Sequence, residues 1–394
     1  MLFQVFTLCL WDMKPVVLYV LDYYLPHRWG VETVFEQIIS RTIASGKKVI
    51  ILTSHFDPNL PPYEKHDDLE IYRVGKWRIW FMFQALFKWA QILKNQQIDL
   101  IHTSTYWWAI PASLLAKLFG KKVLITVHEI FAQLWHQYKG WWKWWIYRIF
   151  EWLIFQLPFD AFHCVSLYTF NSLRLVYAIP DEKNHCIHNG VDLSFRDPNL
   201  VKTEEKNQIS ELFHLQWFWN LLYFGHTGIS KGIDQLIIAL PKLLQTYPDL
   251  QFIFNFIPAK RGVKIRLQLQ NLIDTLPSDQ GERICLHFWL EKSELRALIS
   301  QVDGVIAPSL SEGFWSVHSE VCQMQIPLIT THIASIPEVV SGKVVFIAPK
   351  SPESIIQGVK KLKNQNFDPV SPKVFDRTVQ YSHIANLYQT LLNN

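Results

Sequence analysis

At 394 residues the chain is long enough for two domains of ordinary size, each with a full core. A hydrophobic fraction of 49% beside 18% charged residues excludes a disordered chain, and a net charge of +4 gives no ground for nucleic-acid binding. Five cysteines (Cys9, Cys164, Cys186, Cys285 and Cys322) show no paired spacing, so they read as reduced thiols, mostly in the core of a cytosolic protein.

The apolar start, residues 1–13, lacks the basic flank and small-residue cleavage site of a signal peptide and reads as an upstream start or a loose tail. Residues 16–21 (VVLYVL) form the first expected strand, ending at Asp22 and a loop that runs to Gly30. Helical spacing follows over 32–44 and stops at Gly46. Further strands are expected at 48–53, 69–74, 100–103, 123–127 and 161–165, with helices near 80–95, 109–119, 141–157 and 168–177. The polar segment 197–207 has little to offer a core and is expected to be a linker. Beyond it the alternation restarts, with strands at 221–225, 251–256, 284–288 and 302–307 and helices at 232–246, 263–276 and 293–300. Strands alternating with helices mark parallel sheets covered on both faces. The expected architecture is α/β: two doubly wound domains, 1–196 and 208–375, facing a cleft, with a helix in 376–394 packing back towards the first.

The stretch 308–340 (PSLSEGFWSVHSEVCQMQIPLITTHIASIPEVV) places Glu312 and Glu320 eight positions apart. That spacing means little by itself. Its setting means more: an apolar strand, a loop through Glu312, Gly313 and Phe314, a short helix stopped by Pro327, then a second apolar strand. Charged groups thus fall at the carboxyl end of a strand, where open parallel sheets bind ligands. Upstream lie Asn189-Gly190-Val191-Asp192 and the run from Gly225 to Asp234, GHTGISKGID.

In this order the three pieces closely resemble the donor-site elements of retaining glycosyltransferases of the GT-B fold, glycosyltransferase family 4 (group 1). The resemblance implies transfer of a sugar from a nucleotide-diphosphate donor to a glycan or lipid-linked acceptor, with no cofactor and no metal. Lys231 would face the leaving diphosphate as a fixed positive charge, helped by Gly228 and by backbone N–H groups at a helix start. Glu312 would accept hydrogen bonds from donor-sugar hydroxyls and Glu320 from the ribose, while the N–H groups near Gly313 and Phe314 would meet the diphosphate. The family has an arginine where this chain has His226, and a glycine where it has Trp315; the imidazole is a weaker phosphate partner, and the indole reshapes the sugar pocket. His128, at a strand end, lies where the family often has a histidine near the reacting sugar; His102 is a weaker candidate. Gly30 and Glu32, in WGVE, resemble the family's glycine-rich first loop.

The acidic pair Asp67-Asp68 is isolated and the histidines show no ligand spacing, so no metal site is expected. No Gly-x-Gly-x-x-Gly follows the first strand, which disfavours a nicotinamide oxidoreductase. The alternatives are a nucleotide-sugar epimerase on the same fold or a degenerate, non-catalytic binding subunit.

Thirteen of the 17 tryptophans lie before residue 153, and residues 73–94 carry five cations and no acid. Residues 76–94 and 139–157 mix Trp, Phe and Ile with Lys and Arg, the composition of helices lying at an anionic membrane surface. Four indoles in the five positions 141–145 cannot all point inward from one helix. No stretch reaches the roughly 18 uncharged apolar residues needed to span a bilayer; the nearest, 141–157, is broken by Lys143, Arg148 and Glu151. A peripheral position on the cytoplasmic face of a membrane is expected.

Overall fold

The computed structural model describes residues 14–27, 30–75, 87–92, 94, 96–105, 107–136, 140, 142–191, 193, 200–256, 262–314 and 316–393. These form two compact units, one of residues 1–189 with 378–394 and one of residues 190–377. The division falls between Asn189 and Gly190, ahead of the expected linker. Residues 203–207 of that stretch are not linker but the first turn and a half of a helix, Thr203–Phe213. Only Ile209 and Phe213 of this helix are buried, which is why its sequence looks like connecting chain.

The first unit is built on an eight-stranded sheet: β1 Val16–Leu21, β2 Lys48–Ser54, β3 Tyr63–His66, β4 Leu69–Val74, β5 Leu100–Ser104, β6 Lys122–Val127, β7 Ala161–Cys164 and β8 Asn184–Cys186. Its order is β3-β4-β2-β1-β5-β6-β7-β8, parallel throughout except for the edge strand β3. All six residues of β1 are buried, as a strand covered on both faces must be. Leu18 and Val20 pack on one face with Trp89, Ala112 and Ile154. Val17 and Tyr19 pack on the other with Phe35, Ile38, Tyr388 and Leu391.

The last two of these belong to the helix Arg377–Asn393, tied to the sheet by a buried chain of hydrogen bonds. His163 Nε2 donates to Ile187 O at 2.9 Å, which leaves its Nδ1 to accept from the Thr126 hydroxyl at 3.0 Å. Thr126 then accepts from His102 Nε2 at 2.7 Å, and His102 Nδ1 accepts from the Tyr388 hydroxyl at 2.6 Å. Tyr388 lies 2.9 Å from the Tyr19 hydroxyl. Both histidines are neutral in this chain, consistent with burial pushing His163 down to about 4 and His102 well below its ordinary value. His102 is therefore part of the frame.

The second unit carries a six-stranded, fully parallel sheet: β9 Trp219–Gly225, β10 Leu250–Phe256, β11 Ile284–Phe288, β12 Gly304–Ala307, β13 Leu328–Thr331 and β14 Val344–Ile347. Its order is β11-β10-β9-β12-β13-β14. Successive residues of β9 alternate between two cores: Leu222 and Phe224 in one, Leu221 and Tyr223 in the other. The chain runs outward from β9 to β11 and then returns to lay β12 beside β9. The loops leaving these two strands consequently lie at the switch point, where such sheets bind ligands.

Candidate functional site

Both loops at the second unit's switch point carry expected site residues. The loop after β9 holds His226 and Gly228, makes a 3-10 turn at Ile229–Lys231, and passes Gly232 into the helix Ile233–Thr246. Gly232 has φ +62°, and a Cβ there would sit 2.0 Å from the Pro308 carbonyl oxygen. Only glycine lets this loop press so closely on the one after β12. Leu310 N donates to Ser230 O at 2.6 Å across the same contact. The second loop is pinned from below by hydroxyls: Thr330 to Ala307 O at 2.9 Å, Thr331 to Ser309 O at 2.5 Å and Ser335 to Glu312 O at 2.8 Å.

Residues 81 positions apart are thereby brought into contact. Lys231 Nζ lies 2.8 Å from Glu312 Oε1 and 2.9 Å from Oε2, with side-chain exposures of 12% and 3%. Burial raises the Glu312 pKa, while the Lys231 charge and a hydrogen bond from Ser309 oppose the rise. Beneath the pair, His318 donates from Nε2 to Thr330 Oγ1 at 2.9 Å, since the Thr330 hydroxyl proton already goes to Ala307 O. Its Nδ1 is enclosed with no hydrogen-bond partner. Burial first, then the Lys231 charge, brings His318 down to about 3, so it is a neutral prop.

Sequence reasoning missed His318 and Ser335. The signal for His318 was present: a short helix between two buried strands has to bury some of its polar residues, and Ser319 is buried there too.

The other expected residues fall as follows. Glu320 is half-buried on the helix Ser316–Gln323. His226 and Gly228 are half-buried, and the Tyr223 hydroxyl donates to His226 O at 2.8 Å. Gly313 is buried, and Phe314 meets the Phe375 ring edge-on with centroids 5.2 Å apart. Trp315 and Asp192 lie outside the described residues.

His128 and Gly30 belong to the first unit. The Phe35 ring stands edge-on to His128 at 5.7 Å, burial lowers the imidazole to about 3, and its Nε2 is enclosed without a partner. Gly30 opens the helix Gly30–Ala44 with nothing within 4 Å of where a Cβ would stand, so local packing does not demand glycine. Among the described residues no group of three or more His, Cys, Asp or Glu is placed to hold a metal ion.

Residues 29–195 match the family model "Glycosyltransferase Family 4", and residues 216–376 match "Glycosyl transferases group 1". The chain is a GT-B glycosyltransferase of family 4. The transferase is 21% identical to the phosphatidylinositol N-acetylglucosaminyltransferase GPI3 subunit of Saccharomyces cerevisiae over 379 residues, covering 93% of this chain and 78% of that one. Against a human subunit of phosphatidylinositol N-acetylglucosaminyltransferase it is 24% identical over 358 residues, 86% and 66% of the two chains. The Escherichia coli O-antigen biosynthesis glycosyltransferase WclY is 26% identical over 316 residues, 76% and 80%. In fold, the transferase resembles sucrose-phosphate synthase from Thermosynechococcus elongatus (TM-score 0.79, 16% identity, 97% and 100% covered). It also resembles the Anabaena protein HepE solved with UDP (TM-score 0.68, 13% identity, 96% and 100%). The transferase moves a sugar from a nucleotide-diphosphate donor.

Proposed function

We propose that the acceptor is lipid-linked and is met at an anionic membrane surface, with retention at the sugar and without a metal. The observation that carries this reading is a helix apolar on its outward face as well as its inward one, where Ile154 and Phe155 are buried. In Trp144–Phe155 the inward face holds Glu151, fully buried, which accepts from Phe131 N, Ala132 N, Trp135 Nε1 and the Tyr177 hydroxyl at 2.6 to 3.0 Å. The outward face presents Trp145, Ile146, Ile149, Trp152 and Leu153, each about half exposed, and Trp142 just ahead is 85% exposed. Apolar residues turned to solvent beside Lys143 and Arg148 suit the headgroup region of a bilayer, where indoles and cations both find partners.

The second basic, aromatic stretch contributes less than its sequence suggested. Of its described part, Trp89 and Ile92 are core, and Phe87, Gln91 and Lys94 are exposed; residues 76–86 lie outside the described residues. No helix among the described residues is long and apolar enough to cross a membrane. Two of the relatives are named for acting on phosphatidylinositol, which supports a lipid acceptor.

In the reaction so read, the donor's pyrophosphate takes Lys231 from Glu312 and frees the carboxylate for a sugar hydroxyl. Glu320 holds the ribose, and the enclosed Nε2 of His128 is the first unit's offer of a hydrogen bond to a substrate hydroxyl. The bond from the anomeric carbon to the phosphate oxygen breaks, the acceptor oxygen bonds to that carbon on the same face, and its proton passes to the leaving diphosphate. Lys231 stabilises the charge that develops there.

The test is flotation on vesicles with and without anionic lipid, alongside calorimetry with UDP and GDP. Anionic vesicles should carry the protein, and Trp145→Ser with Trp152→Ser should release it with nucleotide binding intact. Indifference to lipid charge, or flotation unchanged in the double variant, would sink the membrane reading.

A further inference from the structure

The Lys231–Glu312 pair occupies the carboxyl end of the second sheet; the amino end of the same sheet holds a different site. The turns entering β12, β13 and β14, the ends of the helices Lys292–Ile299 and Ser316–Gln323, and the segment 372–374 line an open cavity of about 890 Å³. A four-residue strand spans roughly 13 Å, so the length of β12 separates this cavity from the donor loops.

Lys206, Arg296, Lys343 and Lys373 line the cavity, and no carboxylate does. Part of this charge is answered locally. Two helix C-termini end here, each equivalent to about half a negative charge. Lys373 donates to Pro337 O at 2.6 Å and feels Glu338. Lys206 and Lys343 have no ion-pair partner among the described residues. Burial presses the Lys373 pKa downward and Glu338 opposes the fall. Cations gathered in a concavity focus their field on whatever enters it.

The cavity's one thiol does not suggest other chemistry. The Cys322 thiol is buried, accepts from Ser341 N at 3.3 Å and is pushed up to about 11, so it is no nucleophile at neutral pH. The volume lies in the range of small-molecule pockets, about 300–1,000 Å³.

The geometry points to a second anion site, in which Lys206, Arg296, Lys343 and Lys373 bind a small molecule carrying two or more phosphate charges. Arginine supplies the forked contact and the lysines supply point charges. This site does not depend on the acceptor assigned above.

The probe is tripolyphosphate, titrated calorimetrically into the full chain at constant ionic strength. Wild-type protein should show two sites. Lys231→Met should remove the donor-loop site and spare the cavity. Lys206→Glu with Lys343→Glu should weaken the cavity site at least tenfold and leave UDP or GDP binding unchanged, with an unaltered melting transition showing that the fold is intact. Replacing the probe by vesicles bearing phosphorylated headgroups tells a lipid source from a soluble one; Lys206- and Lys343-dependent heat in either arm supports the assignment. A single site abolished by Lys231→Met, or second-site binding untouched by the charge reversals, overturns it. Should nucleotides fail to bind while the cavity still titrates, the donor assignment falls and this one stands.

Discussion

Replacing Lys231 by methionine keeps the side-chain volume and removes the only cation hydrogen-bonded to Glu312 among the described residues. The carboxylate left behind is 3% exposed, and breaking a pair so buried costs about 3–5 kcal/mol when the remaining charge stays in place. Glu312 has an escape, because burial already raises its pKa and loss of Lys231 raises it further. A carboxyl whose folded pKa exceeds its unfolded value keeps its proton longer in the native state. Stability therefore falls as pH rises from the unfolded value, about 4.3, through the folded one. The deficit of Lys231→Met should be small near pH 5 and approach the full 3–5 kcal/mol near pH 8. Adding Glu312→Gln should restore most of it at pH 8. Urea denaturation of the four proteins of this cycle at both pH values is the measurement. An equal deficit at the two pH values, unrelieved by Glu312→Gln, would refute the reasoning. Sugar transfer should fall by roughly two to three orders of magnitude in Lys231→Met at any pH, the scale for losing a preorganised charge at a leaving group.

Gly232→Ala should cost roughly 2–5 kcal/mol, from a left-handed residue with a Cβ and from displacing the Pro308 carbonyl; native stability in Gly232→Ala within about 0.5 kcal/mol of wild type by urea unfolding would contradict that close approach. Tyr388→Phe leaves His102 Nδ1 buried without its donor, for about 1–3 kcal/mol, and should speed amide exchange in residues 377–393 while sparing nucleotide affinity. Glu320→Ala should weaken UDP or GDP binding at least tenfold by calorimetry with little change in melting temperature; unchanged affinity would remove Glu320 from the nucleotide.

The central strands were legible because a strand covered on both faces has to be apolar along its whole length, as VVLYVL and FIF in β10 are. The edges were not. β3 reads YEKH and β8 reads NHC, short and partly solvated, so neither carries a period. β14 and the helix Pro352–Lys363 follow the motif that dominated the reading, and were passed over although Ile355, Val359 and Leu362 have helical spacing. In the site, Glu312 and Lys231 were visible as residues of strand-end loops. Their mutual ion pair was not, because nothing local encodes a contact across 81 positions; the switch-point topology makes it. Glu151 was read only as a charge interrupting an apolar run. Its structural meaning, a buried acceptor for the Phe131 and Ala132 N–H groups and the Trp135 indole, required knowing which way the helix faces.

The hydroxyl of Tyr388 touches partners encoded more than 280 residues earlier. On the ribosome, the strands that begin the first unit emerge early with the helix Gly30–Ala44, yet the face holding Tyr19 and His102 stays only partly covered until the whole second unit has been translated. Domains made in sequence ordinarily close in sequence. Here the later one can finish before the earlier one is sealed, leaving a nascent apolar face in need of a chaperone's shelter.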